Sequence, residues 1–89
     1  MELNEVIFVD SLPKIDLHGY DQASANVKIN EFIKDNICMK NDIIAIIHGR
    51  GTGKIKEQTH RTLKHNKYVL DFKLFYNNVG TTIVKLNVK

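Results

Sequence analysis

Five consecutive apolar residues, Ile43-Ile44-Ala45-Ile46-Ile47, make the longest uninterrupted hydrophobic run in the chain. A β-branched run with no polar alternation predicts a strand buried on both faces, as in a sheet joined by crossover helices. Upstream the period changes. Ala25, Ile29, Phe32, Ile33 and the Asn36-Ile37 step recur at helical spacing, with Lys28, Glu31, Lys34 and Asp35 on the opposite side. That is one apolar face of an amphipathic helix, and Asp21 is suited to cap its start.

Shorter signals complete the order. Lys14 to Leu17 reads as a short strand stopping at His18-Gly19, and Pro13 ends whatever precedes it. Val6-Ile7-Phe8-Val9 within residues 1–12 is an edge strand or an arm across the body, ahead of a domain over residues 13–89. A second helix is predicted from near Gly53 to His65, with a thin apolar face of Ile55, Thr59, Thr62 and Leu63. Tyr68 to Phe75 and Thr81 to Val88 alternate as strands, and Asn77-Asn78-Val79-Gly80 between them is turn chemistry. The order β-α-β-α-β-β defines an α/β fold with a mixed sheet, parallel across the crossover and antiparallel in the closing hairpin.

Length and composition narrow the class. Eighty-nine residues with 43% hydrophobic content make one modest globular domain and argue against disorder. The net charge of +3 suits an anionic partner without specifying one. One cysteine, Cys38, leaves no internal disulfide and no cysteine-based metal site, and its apolar neighbours predict a packed or half-buried thiol. No stretch reaches a membrane span and the N-terminus carries Glu2 and Glu5, so a cytoplasmic protein is expected.

The chemistry gathers at two strand ends. Each of the first two core strands stops in His-Gly just before a helix, and ligand sites in open α/β sheets form at such carboxyl ends. If those strands are parallel neighbours, Asp16-His18-Gly19 and His48-Gly49-Arg50-Gly51-Thr52-Gly53-Lys54 share one rim. Glycines allow a close approach to phosphate, helix N-terminal amides point at it, and Arg50 and Lys54 supply charge. A Walker A loop is excluded by His48 and Ile55, and a dinucleotide fingerprint by Lys54. Two apart on a strand, Asp16 and His18 project from one face. The carboxylate can then orient the imidazole for general acid/base attack on a phosphodiester, or the pair can ligate a divalent metal, which the sequence allows without requiring. Tyr20 can stack on a base or lie over the core. His60 and His65, five apart on the second helix, read as surface residues, and Lys56 and Arg61 as a basic strip.

Ile15-Asp16-Leu17-His18-Gly19 followed by Ile47-His48-Gly49-Arg50-Gly51-Thr52-Gly53, with Gly80-Thr81-Thr82-Ile83-Val84-Lys85-Leu86 as closing strand, resembles the Smr, or small MutS-related, domain family. The resemblance spans Pro13 to Val88 and implies a two-layer α/β sandwich similar to the C-terminal domain of translation initiation factor three. It also implies an endonuclease nicking or cutting DNA or RNA, with Asp16 and His18 as the catalytic pair and His48 to Gly53 as the substrate loop. A non-catalytic nucleic-acid or ribosome-binding module using the same rim is the alternative. The expected partner is nucleic acid, met by a monomer with no membrane contact. Gln58, Thr59 and Thr62 depart from the apolar residues usual in the family's second helix and predict loose packing there. No ATPase or ubiquitin-binding segment accompanies the domain in these residues.

Overall fold

A computed structural model describes residues 11–49, 53–75 and 78–88, the side chains of 78 and 79 excepted. Six elements follow the predicted order: β1 (Lys14–Asp16), α1 (Gln22–Cys38), β2 (Ile43–Ile47), α2 (Lys54–His65), β3 (Val69–Phe75) and β4 (Asn78–Leu86). The sheet runs β1-β2-β4-β3, with β1 and β2 parallel and the other two pairings antiparallel.

Alternation along β2 and β4 divides the core between the two faces of this sheet. Ile44, Ile46, Val84 and Leu86 meet Ala25, Ile29 and Ile33 of α1 and Leu63 of α2, all at most 2% exposed. Both helices therefore lie on one face, and the domain is a two-layer α/β sandwich with a mixed sheet. Ile43, Ala45, Ile83 and Phe75 form a second apolar cluster on the reverse face, with Leu12 against it. Because β2 contributes to both clusters, it can carry no polar position, which accounts for its unbroken run. The arm or edge strand expected over residues 1–12 falls, apart from Ser11 and Leu12, outside the described residues.

A side-chain hydrogen bond marks each end of α1. Asp21 Oδ1 accepts from the Ser24 amide at 2.7 Å, the expected N-cap. At the far end Asn36, fully buried, donates through Nδ2 to the Phe32 carbonyl and accepts from Asn41 Nδ2, both at 2.8 Å. The chain then turns through Lys40 at φ 60° into β2. Cys38, the last helical residue, is exposed, so the packed thiol expected from its neighbours is corrected: its side of the helix faces away from the sheet.

Two further expectations change. Asn78 to Gly80 belong to β4, not to a turn, while Asn77 falls outside the described residues. The pairing of Phe75 with Asn78 and the acceptance of two amides by the Gly80 carbonyl override local turn preference. Nor is α2 loosely packed. Thr59 is buried and bonds back to the Ile55 carbonyl at 2.8 Å, and Thr62, 5% exposed, donates to Asn26 Oδ1 of α1 at 2.6 Å while accepting from Gln58. Polar pairing holds α2 to α1 at these positions.

Candidate nucleic-acid site

The site is assembled by the parallel register of the first two strands. Asp16 lies opposite Ile47, and the Leu17 amide donates to the Ile47 carbonyl at 2.8 Å, so both strands stop at the same level. Past that level the chain makes two turns, through Gly19 at φ 82° and Gly49 at φ 77°. Gly53, at φ 85°, leads into α2, and only glycine takes this backbone region without strain. The first residues of the helices are tied together here: Gln22 Nε2 donates to the Lys54 carbonyl at 3.4 Å. Both strand ends and both helix N-termini thus converge on one rim.

Within the rim the expected residues separate into exposed and internal groups. Asp16, His18, Gly49 and Lys54 are exposed. Asp16 Oδ1 accepts from the His18 backbone amide at 2.9 Å, not from its imidazole. His18 lies in a turn beyond the end of β1, so the strand spacing that was to align the two side chains does not reach it. The carboxylate fixes the turn that carries His18, and the imidazole makes no hydrogen bond among the described residues. Tyr20, just past the first His-Gly turn, is 37% exposed. Arg50, Gly51 and Thr52 lie outside the described residues.

His48, expected as a substrate contact, is 7% exposed and turned inward. Its Nδ1 lies 3.0 Å from the Gly49 carbonyl, its Nε2 2.8 Å from Thr82 Oγ1, and His60 Nε2 approaches the same hydroxyl at 2.9 Å. Burial pushes the His48 imidazole below the ordinary histidine range and Lys56 adds to this, against the opposing effect of the Gly49 bond. His60 is lowered too, by burial first and then by His48, Lys56 and Lys64. Both rings are therefore neutral at pH 7, and donor–acceptor parity then sets the tautomers. A carbonyl only accepts, so His48 carries its proton on Nδ1 and its Nε2 accepts from the Thr82 hydroxyl, which in turn accepts from His60 Nε2–H. A directed chain runs from α2 through β4 to the glycine loop.

His60 is thus half-buried and engaged, not a free surface residue. It stands edge-on to His48 with centroids 6.0 Å apart and tilts against Phe72 at 5.1 Å. Only His65 of that pair is exposed, bonded to the Arg61 carbonyl. Among the described residues no three His, Cys, Asp or Glu side chains group as a metal site, and no helix is long and apolar enough to cross a membrane.

A four-stranded mixed sheet under two helices, with His-Gly turns at adjacent strand ends, is a small α/β domain. The Smr domain model matches residues 15–87, and the chain belongs to the Smr domain family. It is 32% identical over 75 residues to Endonuclease MutS2 of Brevibacillus brevis, and 32% identical over 78 residues to that of Caldanaerobacter subterraneus. These alignments take in 81% and 84% of this chain but 10% of each relative, so the chain spans about a tenth of their length. The fold is that of the Smr domain of Thermus thermophilus MutS2, with a TM-score of 0.82 at 23% identity over 84% of this chain and 98% of the other. YdaL, a stand-alone small MutS-related protein from Escherichia coli, superposes with a TM-score of 0.74 at 18% identity, covering 82% and 63%.

Proposed function

We propose that this domain binds nucleic acid at the rim and cuts or nicks it there, with His18 as the proton-transfer group. The observation that carries the reading is the in-register parallel pairing of β1 and β2, which brings the His18 turn, Gly49 and the start of α2 to one end of the sheet. The relatives named as endonucleases support the class of chemistry.

In this reading the phosphodiester lies across the rim. Loop amides at the α2 N-terminus, together with Arg50 and Lys54, hold the phosphate and balance the charge that builds on it in the transition state. His18 moves the proton of the attacking hydroxyl or water. Asp16 acts through the backbone: by accepting from the His18 amide it sets where the imidazole stands. His48 holds the carbonyl of Gly49 from below and does not touch the substrate. If RNA is cut by its own 2′-hydroxyl, the new end is a 2′,3′-cyclic phosphate; attack by water leaves a simple phosphate.

The alternative, a binding module without cleavage, is favoured by one observation: the Asp16 carboxylate bonds a backbone amide and not the imidazole it would activate. Labelled single- and double-stranded RNA and DNA, incubated with wild type, Asp16→Ala and His18→Ala and followed by end-group analysis, separate the two. Cutting by wild type that His18→Ala loses while still binding supports the nuclease. Binding by all three proteins with no cutting by any of them leaves the binding module.

A further inference from the structure

The outer surface between the two helices holds a valley that the rim chemistry does not use. A depression of about 480 Å³ lies between α1 and α2, and a second of about 350 Å³ continues it toward the start of β3, with Asn30 and His65 common to both. It begins at Gln22, the residue tied to Lys54 at the rim. The walls carry Arg61, Lys34 and Lys67, and no aspartate or glutamate among the described residues.

The floor is polar and internally locked. Gln58 Nε2 donates to Thr62 Oγ1 at 3.0 Å and Thr62 donates to Asn26 Oδ1 at 2.6 Å. These bonds fix which end of each amide is occupied. Gln58 is left with its carbonyl oxygen and Asn26 with its amino group, an acceptor and a donor without partners among the described residues. A locked acceptor–donor pair suits the edge of a nucleobase, as amide side chains do in base readout. At the far end the ring of Tyr68, 37% exposed, offers a stacking surface with Lys67 Nζ 5.2 Å from its centroid.

We propose that this valley is a track for a single strand of nucleic acid leaving the rim, a proposal that rests on the nucleic-acid reading of the rim. Its cations take phosphates, its amides meet base edges and Tyr68 stacks. The geometry selects an unpaired strand. Two packed helices, each ~10 Å across and 8–10 Å apart, are together roughly 20 Å wide, more than the ~12 Å major groove admits. Base edges of a duplex therefore cannot reach the valley floor. From Gln22 to Lys34 the helix rises about 18 Å, room for about five stacked nucleotides at ~3.4 Å each.

The test uses fluorescence anisotropy with single strands of four and twelve nucleotides and a twelve-base-pair duplex, across a salt series. Proteins compared are wild type, the exposed-site double variant Arg61→Ala/Lys67→Ala, and the rim variant Arg50→Ala. The double variant is expected to bind the twelve-nucleotide strand about tenfold more weakly, with a salt slope reduced by about 1.4 for two lost phosphate contacts. Its binding of the four-nucleotide strand, held at the rim, should stay at the wild-type value. Equal affinity and slope for the long strand would overturn the track. So would a loss on the duplex as large as on the strand, or displacement of the strand by polyglutamate as effectively as by an unlabelled strand. Wild-type and Arg50→Ala proteins distinguish the two levels of failure. If wild type binds no nucleic acid, rim and track readings fall together. If Arg50→Ala weakens every strand while the double variant changes nothing, the rim stands and the track alone falls.

Discussion

Replacing Thr82 by valine keeps the shape of a buried side chain and removes one hydroxyl that both His48 and His60 depend on. Thr82 itself is 0% exposed, so no water stands in for the lost group without rearrangement. At His48, 7% exposed, the ring nitrogen loses its donor in a closed setting, a cost of about 1–3 kcal/mol. His60 is partly exposed, so only the net value of its hydrogen bond is counted, roughly 0.5–1.5 kcal/mol. Together Thr82→Val should cost about 2–4 kcal/mol, against a total of roughly 4–13 kcal/mol for a domain of 89 residues. At about 4–8 °C per kcal/mol the melting temperature should fall by roughly 8–32 °C. Thr82→Ser keeps the hydroxyl and loses one methyl group, so it should recover most of the difference. Thermal melts followed by circular dichroism give the comparison. A Thr82→Val protein melting within a few degrees of wild type, or a Thr82→Ser protein melting no higher than Thr82→Val, would refute the hydroxyl's bridging role.

Acid should act on the same histidines. Both folded-state values are lowered, His48 and His60 alike by burial above all, so the unfolded chain takes protons first as pH falls. Their contribution to stability is therefore present above about pH 6.5 and is lost as pH falls through the folded values. Urea unfolding at pH 7.5 and pH 5.5 should show this loss, and His60→Leu should flatten it. Asn36→Ala removes a buried amide that ties the Phe32 carbonyl to Asn41 at the end of α1 and should cost about 2–3 kcal/mol by the same urea measurement. Asp21→Ala, which uncaps α1, should lower the melting temperature by a few degrees, whereas Asp21→Asn should keep most of the cap. Gly53→Ala meets no atom within 4 Å of the added carbon, so its cost is backbone strain alone, about 1–2 kcal/mol, and phosphate affinity at the rim should fall with it.

How much of this was legible before the structure depends on the range over which each residue acts. The Ile43–Ile47 strand, the Asp21 cap and the start of α2 are local events, set by neighbours within a turn or two, and the pattern of the chain announces them. The meeting of the two His-Gly turns followed from one topological rule, because a strand–helix–strand unit forces a parallel pair. What escaped was long-range. His60 and Thr82 are 22 residues apart, and nothing in the spacing of His60 and His65 on one helix hints at a hydroxyl arriving from β4. Asn78 to Gly80 have the composition of a turn, yet tertiary pairing draws them into β4. Thr59 and Thr62 look like weak core positions until Asn26 and the Ile55 carbonyl supply partners. A buried polar residue is readable only when its partner is known, and here the partners came from other elements.

At the rim, the meeting of the strand ends is legible in the sequence and the contacts within it are not. Convergence was foreseen, but His48 supports the loop from within, and Asp16 reaches His18 through the backbone. With His48 turned inward, His18 is the one exposed histidine of the two motifs. Proton transfer by His18 is tested most directly by a single-turnover cleavage rate for wild type against His18→Ala, on RNA and DNA that both proteins bind equally. The expected result is a drop of about 10²–10⁴-fold in rate with unchanged affinity. Cleavage by His18→Ala at the wild-type rate, or tight binding by wild type with no cleavage of any substrate, would contradict it.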